Sequence, residues 1–353
     1  MKLALITDQH FGARGDNLAF ADYFARFYTD CFFPYLKEHN IDTIVDLGDT
    51  FDRRKYINFN TLALCRNYWF DQIDKNNLTL HAIVGNHDTF FKNLNDVNSP
   101  DLLLRDYKSV HVYSSAQTVK FDNTDIAFVP WICSGNYEES MKFLESTKSQ
   151  IVMGHLELAG FEMYRGSVND HGFSTQPFEK FDTVMSGHFH HKSSRGNIHY
   201  LGAPYEMTWS DWNDPRGFHV FDTDTRELTF IENPYKMFHK IHYDDSSNHM
   251  ETVLDIDAEA LRGTYVKVII HNKINPYWFD MYIDKIEKAG VLDLQVVEDN
   301  LNLNLEDDSD IIDEAEDTLT ILRKFSNNIE TKVDKNKLDA FLSDLYAEAL
   351  TVE

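Results

Sequence analysis

Cysteine is scarce in this 353-residue chain: there are three, Cys31, Cys65 and Cys133, set far apart. They form no CxxC pair and no even set. That excludes a disulfide framework and a thiolate-based metal site, and it points to a reducing cytoplasm. Long apolar runs are missing too. Met1 to Ile6 is apolar but Asp8 follows at once, too short for the core of a signal peptide. No other run reaches the roughly 20 residues that a membrane-spanning helix needs, so no membrane contact is expected. No phosphate-cradling glycine loop of the Walker type is present, so any ATP hydrolysis belongs to a partner. Positive charge is in short supply as well. Lysine and arginine total 33 against 58 aspartates and glutamates, a formal net charge of −25. Such a surface repels nucleic acid. Ten of the acids fall between Glu298 and Asp317 with no base among them, yet the rest of the chain stays acidic. DNA contact would therefore need local basic clusters, bound metal ions or a partner.

What the chain does have is a repeated device. Short β-branched runs end abruptly in polar residues: "KLALITDQH" in Asp8 and His10, "DTIVDLGDTFDRR" in Asp49 and Asp52, "LTLHAIVGNHD" in Asn86, His87 and Asp88, "SQIVMGH" in His155, and "DTVMSGHFHH" in His188 and His190. Each run reads as a buried strand. Asn17 to His39, Leu62 to Asp74 and Leu102 to Tyr107 read as helices between them. Strands alternating with helices predict a layered α/β domain, whose chemistry sits at the carboxyl ends of its strands. In an extended chain, residues two apart share a face, so His188 and His190 point one way and Asp8 and His10 repeat the arrangement. Gly48, Gly85, Gly154 and Gly187 each precede a ligand type, where a side chain would hinder a sharp turn or close approach to an ion. The donors are carboxylate and amide oxygens plus imidazoles, with no thiolate. That set suits two divalent ions, Mn²⁺ first, with Mg²⁺, Zn²⁺ or Fe²⁺ as alternatives. Two ions ~3.5–4 Å apart need a shared carboxylate. Any one of these residues alone reads as structural: a lone histidine as a hydrogen-bonded core residue, Asp49 as a helix cap, Gly85-Asn86 as a turn. The order and spacing of five blocks together is what argues for a metal centre. His171, His191 and His199 lack that support and read as surface or supporting residues.

"DQH", "GDTFDR", "GNHD", "GH" and "GHFH", in that order, resemble the calcineurin-like metallophosphoesterases, and within them the SbcD nucleases, including the short phage versions. The third block is Asn-His-Asp where protein phosphatases carry Asn-His-Glu, and "YLGAPYEMTWSDWNDPRGFHVFD" is similar to the segment that follows the histidine block in SbcD-type chains. The resemblance implies two central β-sheets flanked by helices, with a small α/β capping domain and C-terminal helices. It implies that Asp8, His10 and His190 hold one ion, that Asn86, His155 and His188 hold the other, and that Asp49 bridges them. His87 would stabilise the phosphate or protonate the leaving oxygen, oriented by the Asp52 carboxylate; Asp88 would only cap the following turn. Arg53, Arg54 and Lys55 are candidate DNA-phosphate contacts, against the plain reading of a solvated charged turn. Glu162 to Phe173 has loop composition and could meet substrate. The implied function is a Mn²⁺-dependent DNA exonuclease and endonuclease that works with an SbcC-like, SMC-type ATPase in double-strand-break processing and recombination, as a homodimer within a heterotetramer. The alternative is a phosphodiesterase or phosphatase acting on a small nucleotide or phosphoprotein, which the acidic charge mildly favours.

Residues 1–235 carry this resemblance, as the nuclease domain. Residues 236–299 are expected to form the DNA-guiding cap: "TYVKVIIHN" reads as a strand, Asn275 caps a helix with Pro276 in its first turn, Gly290 ends it, and "VLDLQVV" reads as another strand. Phe279, Tyr282, Ile283 and Ile286 line one face of that helix. An acidic linker, 300–317, leads to 318–353, two apolar-striped helices expected to grip the ATPase. Dimerisation is expected through helices around Leu62–Phe70 and Leu102–Tyr107.

Overall fold

A computed structural model describes residues 1–246 and 249–298; the expected linker 300–317 and partner-binding segment 318–353 lie outside the described residues. The first 232 residues build two six-stranded sheets. Across the first, the strands run Leu228–Glu232, Gly217–Asp222, Lys2–Ile6, Thr43–Asp46, Thr79–Ile83 and Val110–Tyr113. Across the second they run Ser193–Arg195, Ile198–Tyr200, Thr183–Gly187, Ile151–His155, Thr124–Val129 and Gln117–Phe121. All five ligand-bearing runs form strands, and each of these strands has a parallel neighbour. Parallel strands covered on both faces must be apolar throughout, which is why "LALI" in "KLALITDQH" and its counterparts read as unbroken apolar runs before they turn polar.

The two sheets pack face to face. Leu3, Leu5, Val45 and Ile83 of the first meet Ile126, Phe128, Ile151 and Met185 of the second, all fully buried. The outer face of the first sheet is covered by the helical segments 18–39 and 59–75, through an aromatic core that includes Phe24, Tyr28, Phe32 and Trp69. The helix Tyr137–Ser146 helps cover the outer face of the second. The result is a four-layer helix–sheet–sheet–helix arrangement. Asn17 starts the first helical segment as expected, its side chain accepting from the Ala19 amide. Each of the two long helical segments carries one wide π turn, at Tyr28–Phe32 and Arg66–Phe70, where Tyr28 stacks on Tyr68. The expected helix at Leu102–Tyr107 lies earlier, at Ser99–Leu104, because Asn98 caps it and Pro100 occupies its first turn. Tyr68, Trp69 and Phe70 point into the core, so the exposed apolar side chains near the expected dimer helices are Tyr56, Phe59 and Leu102.

Past the second sheet, Phe238–Asp244, Tyr265–Asn272 and Asp293–Glu298 form a three-stranded parallel sheet. The helix Pro276–Lys288 packs on it through Phe279, Tyr282 and Ile286, and Asn275 caps that helix as its sequence predicts. Glu206, fully buried, accepts the amides of Met237 and Phe238 and so ties this small sheet to the segment that follows the histidine block. No helix among the described residues is long and apolar enough to cross a membrane.

Candidate metal centre

The carboxyl ends of the ligand-bearing strands converge where the two sheets meet. Asp8, His10, Asp49, Asn86 and His87 come from the first sheet, and His155, His188 and His190 from the second. The extended geometry expected for Asp8, His10, His188 and His190 is not what forms. Asp8 (φ 52°), His10 (φ 44°), Asp49 (φ 56°) and His188 (φ 89°) all adopt left-handed backbone. His188 and His190 accordingly face different groupings rather than one. Such conformations cost roughly 1–3 kcal/mol each and persist only where neighbours over-determine them. Here the turns lock one another. The Asp8 amide donates to the Gly48 carbonyl at 2.9 Å and the His10 amide to the Asp49 carbonyl at 3.0 Å. The His87 amide donates to Asp49 Oδ1 at 2.7 Å, and the His188 amide to Asp8 Oδ2 at 3.0 Å. A β-carbon on Gly48 would lie 2.6 Å from His155 Nδ1, and one on Gly85 would strike Asp49. These glycines are there to let a ligand from another strand pass.

Among the described residues, three carboxylate–imidazole groupings have donor atoms within 4.8 Å of one another: Asp8, His10 and His190; His10, Asp49 and His87; Asp49, His155 and His188. Asp49 Oδ2 lies 3.3 Å from His155 Nε2 and 3.8 Å from His10 Nε2, so one oxygen belongs to both sides of the centre. Asn86 Oδ1 sits 2.9 Å from both His155 Nε2 and His188 Nδ1. His10 Nε2 and His190 Nε2 face each other at 3.1 Å.

This donor set fits divalent cations. His155 Nδ1 is 2.8 Å from the Leu47 carbonyl, which can only accept, so Nδ1 carries a proton and Nε2 is the atom aimed at Asn86 Oδ1 and Asp49 Oδ2. With a neutral ring three acceptors would meet at one point and repel, so a positive charge is required there: a proton on Nε2, or a cation in its place. Acid–base behaviour reports the same demand. Burial disfavours charge on His155, but the Asp49 carboxylate overrides it and pushes the imidazole up to about 9. His10 is likewise buried, yet Asp52, Asp49 and Asp8 push it up to about 10. Burial holds His188 down to about 3, leaving a neutral ring suited to ligation.

His87 is the half-buried exception. Its Nδ1 lies 2.6 Å from the backbone carbonyl of Asp52. The carbonyl therefore does the orienting expected of the Asp52 carboxylate, whose Oδ1 instead faces His10 Nδ1 at 3.4 Å. With Nδ1 fixed as donor, Nε2 is the ring atom left available for proton exchange. Of the three candidate cations, Arg53 pairs with Asp16 at 3.0 Å, Arg54 donates to Thr89 Oγ1 at 3.1 Å, and Lys55 is exposed. Burial holds the Arg54 guanidinium below its usual range, only partly offset by the carboxylates of Asp49 and Asp88. His191 and His199 hydrogen-bond to Asp214 and Ser194, and His171 donates its amide to Asn169, so all three lie outside the metal groupings. The stretch Glu162–Phe173 includes a short hairpin, Glu162–Tyr164 with Ser167–Val168.

Several supporting residues are not readable from the blocks. Asp88, fully buried, does not cap the following turn; its carboxylate accepts the amides of Asp49, Phe51 and Gly85 and so joins the second ligand loop to the third. Gln9, between two ligands, donates to Asp46 at 2.7 Å, accepts from the Tyr28 hydroxyl at 2.6 Å, and has its carbonyl bound by the Tyr205 hydroxyl at 2.6 Å. Arg216 is buried between Asp211 and Asp214 and donates its other Nη to the His190 carbonyl. The Trp131 ring lies 5.1 Å from that of His188.

Residues 1–192 match the family model described as calcineurin-like phosphoesterase. Over its full length the chain is 32% identical to "Exonuclease subunit 1" of Enterobacteria phage T4, covering 99% of each protein. It is 20% identical to the SbcD component of the SbcCD nuclease of Staphylococcus saprophyticus, over 53% of this chain and 47% of that one. A solved archaeal phosphodiesterase aligns at 12% identity with a TM-score of 0.34, over 66% of this chain and 99% of the other.

Proposed function

Because the chain belongs to the calcineurin-like phosphoesterases, a family of divalent-metal hydrolases, we propose that it is the nuclease component of a two-component DNA-processing enzyme. Asp8, His10 and His190 would hold one ion, Asn86, His155 and His188 a second, and Asp49 both, with Mn²⁺ the metal that this oxygen–imidazole set favours. The observation that carries the reading is Asp49 Oδ2, within 4 Å of imidazoles from both groupings. Bound divalent ions supply Lewis acidity toward a scissile phosphate and acidify the attacking water.

The chain's own residues do the rest. Asp88 and Gln9 fix the loops that present Asp8, His10 and Asp49. Arg54 adds positive charge beside the carboxylates, where a phosphate would enter. His87, its Nδ1 proton held by the Asp52 carbonyl, presents Nε2 to the leaving oxygen and gives it a proton from the imidazolium form. The full-length likeness to a phage protein named as an exonuclease subunit supports a nuclease that works with a further subunit; DNA as the substrate, an SMC-type ATPase as that subunit and a cytoplasmic setting extend the expectations drawn from the sequence. Exposed Tyr56, Phe59 and Leu102, beside or within the expected dimer helices, support a homodimer. The small parallel sheet and its helix, Phe238–Asp244, Tyr265–Asn272, Pro276–Lys288 and Asp293–Glu298, fit a cap that guides DNA. The test is digestion of labelled duplex and single-stranded DNA by the purified chain with Mn²⁺, with and without the ATPase. Turnover of a chromogenic phosphodiester with no cleavage of either DNA would instead favour a small-substrate phosphodiesterase.

A further inference from the structure

The segment between His87 and the helix Ser99–Leu104 is a β-hairpin, Thr89–Phe91 paired with Leu94–Asn98. It springs directly from the third ligand loop and returns to it: the Ser99 amide donates to the Asp88 carbonyl at 2.8 Å, closing the hairpin at its base. Two further contacts stiffen it. The Asn93 carbonyl at the tip accepts the Gly135 amide at 3.0 Å, and a β-carbon on Gly135 would lie 2.5 Å from Asn93 O and from Leu94, so the approach requires glycine. Asn95 donates to the Trp131 carbonyl at 2.8 Å, and the Trp131 ring leans on His188. The hairpin is thus rooted beside one metal-site residue and braced on a loop that touches another.

A rigid two-stranded projection of this kind would ordinarily carry polar side chains. This one presents Phe90 (40% exposed) and Phe91 (46% exposed), their rings edge to face at 4.8 Å, with exposed Lys92 beside them. Phe90 follows His87 by only three positions, so their α-carbons lie within about 11 Å, the span of about three stacked bases at ~3.4 Å per step.

We infer that the Phe90–Phe91 hairpin is a stacking platform for an unpaired nucleobase within a few nucleotides of the scissile phosphate. This rests on the nuclease reading and narrows it to single-stranded or frayed ends, because a base still stacked in a duplex offers no face to an aromatic ring. The charge of the chain favours stacking over phosphate contact. With 58 acids against 33 bases, electrostatic attraction for a nucleic-acid backbone is weak, whereas an aromatic face binds any base and depends little on salt.

The test is a cycle between protein and substrate, using the full-length chain with Mn²⁺ and single-stranded oligodeoxynucleotides. One series carries a single abasic residue at successive positions near the cleaved bond, and another carries 2-aminopurine at the same positions. Wild type should quench 2-aminopurine at one position on mixing, and an abasic residue there should raise KM about 10- to 100-fold, the usual weight of one stacked base. Phe90→Ala/Phe91→Ala should lose the quench, show the raised KM on intact DNA, and no longer sense the abasic residue. Phe90→Tyr/Phe91→Tyr should restore both. Additive effects of the variant and the abasic residue, or an unchanged quench, would overturn the platform while leaving the nuclease reading intact. Conversion of a wild-type dimer to monomers by the double alanine variant, with abasic sensitivity retained, would make the patch a contact between two copies of the chain and also overturn it. A wild-type chain that hydrolyses bis(p-nitrophenyl) phosphate but cuts no oligonucleotide would remove both readings together.

Discussion

The two central sheets are built alike and contribute differently. The first supplies all the oxygen donors, Asp8, Asp49 and Asn86, together with His10 and His87; the second supplies only imidazoles, His155, His188 and His190. Neither can complete a site. Burial pushes Asp8 above the usual carboxylate range, while Asp49, equally buried, is held well below it only by the imidazoles around it, His155 of the second sheet foremost. The histidines of the second sheet, without those carboxylates, would be neutral rings with no reason to converge. The difference teaches that the chemistry belongs to the seam. It depends on register between sheets whose ligand strands are not neighbours, which is why the ligand loops are tied to one another and not merely to their own strands.

The sharpest way to break this arrangement is to remove the one oxygen both sides share. Asp49→Ala should lower the occupancy of both ions and cut phosphodiester cleavage by about 10³-fold or more, since several kcal/mol of charge stabilisation disappears. Elemental analysis after Mn²⁺ loading checks the first half and steady-state kinetics the second. Full occupancy in the variant would mean the carboxylate is not shared.

His87→Ala separates chemistry from assembly. It should retain both metals and lose about 10²- to 10⁴-fold in rate, the range for a positioned acid. Because His87 also lies within reach of His10 and Asp49, parallel loss of metal and activity would make it a ligand instead.

The residues that brace each side offer a finer cut. Gln9→Leu loosens the first sheet's ligand turn and Arg216→Met frees the His190 carbonyl of the second. Each should weaken one Mn²⁺ ion about 10- to 100-fold while sparing the other, a range typical of outer-shell partners. Mn²⁺ titration followed by electron paramagnetic resonance should resolve two affinities in each variant; an equal fall in both would assign these residues to general stability.

The smallest expected effect lies in the seam itself. His81, on the first sheet, packs edge-on to Phe121 of the second at 4.9 Å. Burial, with His111 nearby, holds its imidazole down to about 4 from an ordinary 6.5. Between those values the unfolded chain binds the proton better. His81 should therefore lower stability as pH falls from 6.5 toward 4, by about 2–3 kcal/mol at most. Metal-free urea melts at pH 7 and pH 5 should show a smaller pH dependence in His81→Phe than in wild type.

The calcineurin-like fold and the convergence of the candidate ligand blocks were legible because buried parallel strands must be apolar throughout and their ends are where donors appear, as in "IVMGH" and "HAIVGNH". The cap helix after Asn275 was legible from its cap, its proline and its apolar stripe. What was not legible depends on partners distant in sequence. Extended alternation at "GHFHH" gives way to a left-handed His188 because its amide is claimed by Asp8, 180 residues away. Arg216 lies in a charged, loop-like stretch, yet it is buried because Asp211, Asp214 and the His190 carbonyl neutralise it. Asp52 was read by its side chain and meets His87 through its backbone. The hairpin at Thr89–Asn98 lacks alternating apolar residues and a strong turn pair; its bracing by Gly135 and Asn95 is tertiary.

The central claim is a two-ion centre shared across the seam, and the most direct measurement is electron paramagnetic resonance of the Mn²⁺-loaded chain with its metal content determined in parallel. The account predicts two Mn²⁺ ions per chain with an exchange-coupled signal, replaced in Asp49→Ala by weak, uncoupled Mn²⁺. One uncoupled ion in the wild-type chain, unaltered by Asp49→Ala, would contradict it.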